Sequence, residues 1–330
     1  MRIGHNPEQH KDTEIRYSHK VVMPVYIPHL NDYFAEALDV LRVSLESLRN
    51  TVHAATTITV VANACCQEVR QELIGNSNRG EIQQLVLNDD NLGKVDSIMN
   101  VVRGSYEPLI TLTDSDVLFE PNWQHLVEKV FLGFPQAGMV SPCPIPAIWN
   151  FCDFNTLLFG ISHFKLDVGE FLHQDELCIL QSSVGREMYA NCRTLLKRQF
   201  SLINGSTRAI LGAGHFVATF RRDVFRFAPD EPSRKKVGGR SENKYFDLPV
   251  ERAGLLRLAT PEVLAHHMGN RLEKWHQEQL DQTRNCSPGE PANIPDIYNR
   301  SIGRWVPTLI QRGLLQFVIE PYMKRLLARS

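Results

Sequence analysis

The strongest constraint on this chain is Leu109-Ile-Thr-Leu-Thr-Asp114-Ser115-Asp116-Val-Leu-Phe119, an apolar, β-branched run in which two carboxylates stand two residues apart. Such a run reads as a buried strand. Residues i and i+2 of an extended chain project to one face, so Asp114 and Asp116 can converge just past the strand's carboxyl end. Open α/β sheets bind their ligands there. Two carboxylates with no Lys or Arg beside them are costly to hold together unless a cation neutralises them. Hard oxygen ligands suit Mg²⁺ or Mn²⁺ bound along with a substrate phosphate. The plainer reading is a surface turn in which Asp114 caps the segment after it. Position behind a buried strand is what favours the metal.

The rest of the chain supplies an α/β frame for that strand. Lys20 to Pro28 reads as a first strand whose prolines mark its exit. Asn31 to Arg49 has Phe34, Leu38, Leu41, Leu45 and Leu48 at helical spacing, Thr56 to Asn63 is a second strand, and a helix follows through Leu73. A turn from Gly75 to Gly80 leads to a third strand, Ile82 to Leu87. Alternation at this spacing implies parallel strands joined by crossovers. Asn91-Leu-Gly93-Lys94 then opens a helix whose N-terminal N–H groups could face an anion, although ordinary capping chemistry looks the same. The chain has no Gly-x-Gly-x-x-Gly and no Walker loop, which counts against dinucleotide enzymes and P-loop NTPases.

Beyond the Asp-x-Asp, Trp123 to Phe131 reads as a helix and Gly138 to Pro146 as a strand, while residues 150 to 205 show no clear period. Small residues at Leu211-Gly-Ala-Gly214 would let a ligand or another backbone approach, and His215 beside them could contact a ligand or be structural. Pro229 to Arg240 is a loop carrying Arg234, Lys235, Lys236 and Arg240 beside Gly238-Gly239. A lid over a diphosphate would look like this, and so would a solvated loop. A helix over Tyr245 to Gly254, a strand over Leu256 to Thr260 and the segment Val263 to Asn270 follow. A polar, proline-rich linker then leads to an amphipathic helix pair from Trp305 to Leu327. For that pair, packing on the domain is the default, with dimer formation or peripheral contact with an anionic membrane as alternatives.

Composition narrows the class further. The 330 residues are 43% hydrophobic and 22% charged, with net charge −1, so a sizeable core can form and nothing global favours nucleic acid. Seven cysteines without a Cys-x-x-Cys argue against a disulfide framework or zinc ribbon and for a reducing compartment. Residues 1 to 10 have no apolar core of a signal peptide, and no run approaches the roughly 20 apolar residues that span a bilayer. The expectation is a cytoplasmic protein, at most peripheral at a membrane.

The order of these pieces resembles the inverting family-two glycosyltransferases with the GT-A fold. The similarity covers about residues 19 to 270 and rests on Pro24-Val25-Tyr26 after the first strand, Asn91-x-Gly93, Asp114-Ser115-Asp116, and His267-Met-Gly269 after a late strand. The resemblance implies a Rossmann-like mixed sheet flanked by helices. Residues 19–120 would hold a nucleotide-diphosphate sugar, a UDP-sugar first, through Pro24, Val25, Tyr26, Asn63, Asn91, Gly93, Lys94, Asp114 and Ser115. Mn²⁺ or Mg²⁺ would sit on Asp114, Asp116 and His267, with His266 as the alternative histidine. Residues 121–270 would take a hydroxyl acceptor, with Asp247 as general base and Glu242 as alternative. Residues 1–18 would be a tail, and 271–330 a linker and C-terminal helical extension. Many relatives have Asp where this chain has Asn63, which can still hydrogen-bond a base edge. The implied activity is metal-dependent sugar transfer with inversion, of the kind used in bacterial cell-surface polysaccharide or glycoconjugate synthesis, onto a glycan, a lipid-linked glycan or a protein. A sugar-phosphate nucleotidyltransferase and a non-catalytic scaffold are the rival classes. The first usually carries a Gly-rich basic loop after the first strand, which Pro24 to Pro28 does not offer.

Overall fold

The structure is a computed structural model and describes residues 4–163, 165–294 and 308–328. β1 (His19–Val25), β2 (Thr56–Asn63), β3 (Gln84–Asn88) and β4 (Leu109–Thr113) lie parallel in the order β3-β2-β1-β4. β2 is buried along its whole length, as a strand covered on both faces should be. Alternation splits β1 between two cores: Val21, Met23 and Val25 face one, Val22 the other.

α1 (Ala37–Thr51) covers the first core with Leu41 and Leu48, as α2 (Gln67–Asn78) does with Val69 and Leu73. α3 (Lys94–Val102) covers the second with Val95, Ile98, Met99 and Val102. Several boundaries differ from the sequence reading, among them the start of β3, which is Gln84 rather than Ile82. A tight turn at Asp32–Phe34 delays α1 to Ala37, and α2 runs through Gly75 to Asn78.

The central strand does not run on to Phe119. β4 stops at Thr113, the chain turns at Asp114–Asp116, and β5 (Val117–Phe119) leaves the main sheet. α4 (Trp123–Gly133) packs Val127, Val130 and Phe131 onto the first core and precedes β6 (Ala137–Ser141). Residues 150–205, without period in the sequence, form α5 (Phe154–Ser162), β7 (Leu166–Gly169), α6 (Gln174–Val184) and β8 (Gln199–Asn204). β9 (Thr207–Ile210) and β10 (Val217–Arg221) follow, then α7 (Leu248–Ala253) and β11 (Leu256–Ala259). The sheet is thus mixed. β10 lies antiparallel between β4 and β6, β11 is parallel to β6, and β9, β8 and β7 close the far edge as antiparallel strands.

β12 (Ala265–His267) pairs antiparallel with β5 in a small second sheet, with His267 opposite Val117. α8 (Lys274–Thr283) packs back near α1, where Asn50 donates to Thr283 at 3.0 Å. The C-terminal extension is described from α9 (Thr308–Leu314) through one wider helical stretch (Leu315–Ile319) into α10 (Glu320–Ala328); Trp305 lies outside the described residues. Ile319, Met323 and Leu327 dock it onto the first core.

Candidate active site

The carboxyl ends of β1, β2 and β4 open into a cleft of about 380 Å³. One wall is the β1 exit, Pro24, Val25 and Tyr26, continued by Tyr33 and Phe34 of the turn before α1. These rings meet edge to face, Tyr26 on Phe34 at 6.0 Å and Tyr33 on Phe34 at 5.1 Å. The opposite wall is Lys236, Val237 and Gly238 of the basic loop, with Ser241 and Glu242 after it. Tyr33, Phe34, Ser241 and Asn270 line the cleft although no sequence motif marks them as site residues, and Gly269 of the His267-Met-Gly269 motif joins them. Helical spacing puts Phe34 on a helix face, but the turn at Asp32–Phe34 ends before α1 begins and frees its ring for the cleft.

Asn63 ends β2 at the cleft but spends its amide on the loop before α3. Its Nδ2 donates to Asn91 at 2.8 Å and its Oδ1 accepts from the Leu92 N–H at 2.9 Å. Asn91 Oδ1 in turn accepts the Gly93 N–H at 2.9 Å, and the Lys94 N–H goes to the Lys236 carbonyl at 3.2 Å. The N–H groups of Gly93 and Lys94 are therefore engaged by the protein itself. Gly93 has φ +85° and ψ 159°, a region for glycine alone, and a Cβ there would lie 2.1 Å from the Lys235 carbonyl oxygen. Asp96 completes the seat of the basic loop by accepting the N–H groups of Ser233 and Arg234 at 2.7 and 2.8 Å.

At the floor, β4 delivers Asp114 and Asp116, and the Asp114 N–H is tied to the Phe216 carbonyl at 2.8 Å. The sequence shows no cation beside them, but the fold brings one there. Lys94 Nζ lies 2.5 Å from Asp114 and 2.5 Å from Glu242. Burial works against the lysine's charge, but the two carboxylates outweigh it and hold its pKa above the usual value. No local pattern could pair residues this far apart in the chain.

Asp116 is different. The β5–β12 pairing and the Met268 N–H to Asp116 carbonyl bond at 2.8 Å bring His267 alongside, with Nε2 3.5 Å from Asp116 Oδ2. His266, one residue earlier, points to the other face and meets Glu120 at 2.6 Å. Burial, opposed by His267 and reinforced by the charge of Asp114, pushes the Asp116 carboxyl up to about 6. Asp116 Oδ1 and His267 Nδ1 are both buried without a hydrogen-bond partner. An orphan carboxylate oxygen beside an imidazole fits a divalent cation whose other ligands come from a diphosphate or water. Asp114, engaged by Lys94, would join through water. Among the described residues, the trio of His, Cys, Asp or Glu ligand atoms that lie within 4.8 Å of one another is a different one, His19, His53 and Glu128.

The two acidic residues considered for base chemistry occupy different places. Glu242 lines the cleft. Lys94 and His215 overcome its burial and keep its pKa below the ordinary value. Asp247 is 0% exposed, its Oδ1 accepting from Arg257 at 2.8 Å and its Oδ2 facing His215 Nδ1 at 2.9 Å. Burial notwithstanding, Arg257 and His215 hold it below the usual carboxylate range. In return the Asp247 hydrogen bond, against the pull of burial, raises His215, whose Nε2 lies 3.7 Å from Glu242. Asp247 thus stands behind His215, which stands behind Glu242.

No family model matches this chain, and no curated protein matches it. Among solved structures, one that matches this chain is the mannosyltransferase PcManGT from Pyrobaculum calidifontis in complex with GDP-Man and Mn²⁺. The likeness has 14% identity and a TM-score of 0.47, covering 95% of this chain and 73% of that one. Another is S. aureus TarS 1-349 in complex with UDP-GlcNAc, at 12% identity and a TM-score of 0.31, covering 38% of this chain and 33% of that one.

Proposed function

We propose that the protein transfers a sugar, with inversion, from a nucleotide-diphosphate sugar to a hydroxyl acceptor, using Mn²⁺ or Mg²⁺. The observation that carries this reading is the floor of the cleft: a buried, unpartnered Asp116 oxygen next to His267, at the ends of parallel strands, between an aromatic wall and a basic loop. Asp116 and His267 would hold the cation, with Asp114 behind a water. When bound, the metal would neutralise charge on the departing diphosphate. Tyr26, Tyr33 and Phe34 present faces against which a nucleobase, a uracil first, could stack. Lys236, on the loop seated over Gly93, can follow the diphosphate as a mobile cation. Of the two acidic candidates we assign the base to Glu242, because it reaches the cleft while both Asp247 oxygens are occupied. Lys94 keeps Glu242 ionised in the resting protein, and Glu242 would take the acceptor's proton as the sugar carbon is displaced in line. The acceptor would be a glycan, a lipid-linked glycan or a protein of the kind built into cell-surface polysaccharide.

The Lys94–Asp114 pair favours a second reading, in which Lys94 supplies the positive charge and no metal is required. Thermal-shift screening against UDP-, GDP-, dTDP- and CMP-sugars, with Mn²⁺ and then with EDTA, separates the two, since a cognate donor stabilises by mass action. A donor that raises Tm only with Mn²⁺ and is turned over supports the metal reading. Equal stabilisation in EDTA supports the second, and no response to any donor removes both.

A further inference from the structure

Away from the cleft, under the amino-terminal end of β1, three side chains from distant parts of the sequence point at one another. His19 opens β1, His53 follows α1, and Glu128 sits in α4; all three are buried. Glu128 Oε1 lies 3.2 Å from His19 Nδ1 and 2.9 Å from His53 Nε2. The edge of a tetrahedron drawn by ligands about 2.0–2.1 Å from a zinc ion is about 3.3 Å, so these separations are close to those of a coordination shell.

The hydrogen-bond pattern says what belongs at the centre. Gln124 Oε1 accepts the His53 backbone N–H at 2.9 Å, which fixes Nε2 as the donor end of the amide. That Nε2 gives its hydrogens to Thr56 Oγ1 at 2.8 Å and to His19 Nδ1 at 2.9 Å. His19 Nδ1 must then carry a lone pair, and its proton sits on Nε2, which meets Thr111 Oγ1 at 2.6 Å. A lone pair on Nδ1 facing a carboxylate oxygen at 3.2 Å is a repulsive contact with hydrogen bonds alone. A cation between them would turn it into two ligand bonds, at the cost of the Gln124 hydrogen bond to Nδ1, whose single lone pair the ion would take.

The outer contacts match this arrangement. Each imidazole has its far nitrogen on a threonine, His19 on Thr111 and His53 Nδ1 on Thr56 at 3.2 Å, while Glu128 Oε2 accepts the Ala292 N–H at 2.8 Å. Metal-bound histidines are held in this way, with the remote ring nitrogen hydrogen-bonded and so the tautomer set. We propose that His19 Nδ1, His53 Nε2 and Glu128 Oε1 bind a structural Zn²⁺, with a water as fourth ligand. Two imidazoles and a carboxylate suit zinc better than magnesium or calcium. The ion would tie β1, the α1 exit and α4 together, and through Ala292 would fix the segment that follows α8.

The test uses the full-length protein. After purification in chelator-washed buffer, metal analysis should return about one zinc per chain, and removal by a strong chelator should lower Tm, with zinc restoring it. Co²⁺ exchanged into the site should show the intense visible bands of a four-coordinate ion. His53→Gln and Glu128→Gln should each lose the metal and the zinc response of Tm. Asp116→Asn, in the cleft, should keep both. His53→Gln is the safer variant because its far nitrogen makes the longer contact with threonine; circular dichroism checks that it is folded. Wild-type protein that takes up no zinc when supplied with it, or a folded His53→Gln protein that binds as much as wild type, overturns the assignment.

Discussion

Asp116 and Gly93 show how single positions set the chemistry of the cleft. Asp116→Asn keeps the size of the side chain but removes the charge that burial and Asp114 already strain. Transfer should fall on the order of a hundredfold or more, as when a metal carboxylate or an electrostatic stabiliser is removed. Mn²⁺ should no longer enhance donor binding; single-turnover kinetics and donor titrations with and without Mn²⁺ check both. Gly93→Ala tests the seat of the basic loop, because the new methyl meets the Lys235 carbonyl in a backbone region that costs a non-glycine residue about 1–3 kcal/mol. The expected result is a lower Tm and a higher KM for donor with kcat less affected. An unchanged KM would mean that the loop does not touch the donor. Asp114 and Asp116 were legible in the sequence because both the strand and the carboxylates lie in one short stretch. Their partners were not. Lys94 reaches Asp114 and Glu242 only after α3, β4 and the basic loop have packed, and no spacing rule reports that.

Elements differ in legibility for a similar reason. β1, β2 and β4 are covered on both faces, so their residues form continuous apolar runs that survive as signals. β5 and β12 are three residues each, too short to carry a period, yet their pairing is what places His267 beside Asp116. β7 is half-exposed and includes Asp167 and Gly169, which read as turn residues. The helical segment from Asn243 to Ala253 adds an element-scale prediction. Its Glu251 accepts the Asn155 N–H with Oε1 at 3.2 Å and leaves Oε2 buried without a partner. Burial, and then the charge of Asp153, push Glu251 up to about 8, and burial lifts Asp153 to about 7. A carboxyl whose value is higher in the folded than in the unfolded chain binds its proton more tightly in the native state. Its contribution is full below the unfolded value, near 4.5 for Glu251, and is lost as pH rises through about 8. Glu251→Gln keeps the Oε1 acceptor and removes the titration. The wild-type Tm should therefore decline more steeply than the variant's between pH 5 and 8. Parallel slopes would show that Glu251 carries no such penalty.

At the scale of the molecule, the C-terminal helices present apolar residues on two faces. Ile319, Met323 and Leu327 are spent on the core. Ile310 at 53%, Phe317 at 73% and Val318 at 57% exposure, with Leu314 and Tyr322, are not. Arg312, Lys324 and Arg325 accompany them, and Glu320 is engaged by Asn150 at 2.9 Å and by Lys324 at 3.7 Å. A second copy would bring like charges together across such a face, whereas an anionic bilayer would attract them and accept the rings. No helix among the described residues is long and apolar enough to cross a membrane, so contact through this face would be peripheral. Burying Phe317 and Val318 in the interface should contribute about 1.5–3 kcal/mol each. The double variant Phe317→Ser/Val318→Ser should then sediment with anionic vesicles at least about tenfold less well than wild type, with Tm and donor binding unchanged because neither residue is among those docked on the core. Salt should weaken the wild-type association in the same assay, since exposed cations are screened within about 10 Å at 0.1 M. If wild type ignores anionic vesicles at low salt but doubles its mass in solution, the face pairs copies of the chain. If it does neither, the exposed rings serve some purpose other than docking on lipid or on a second copy.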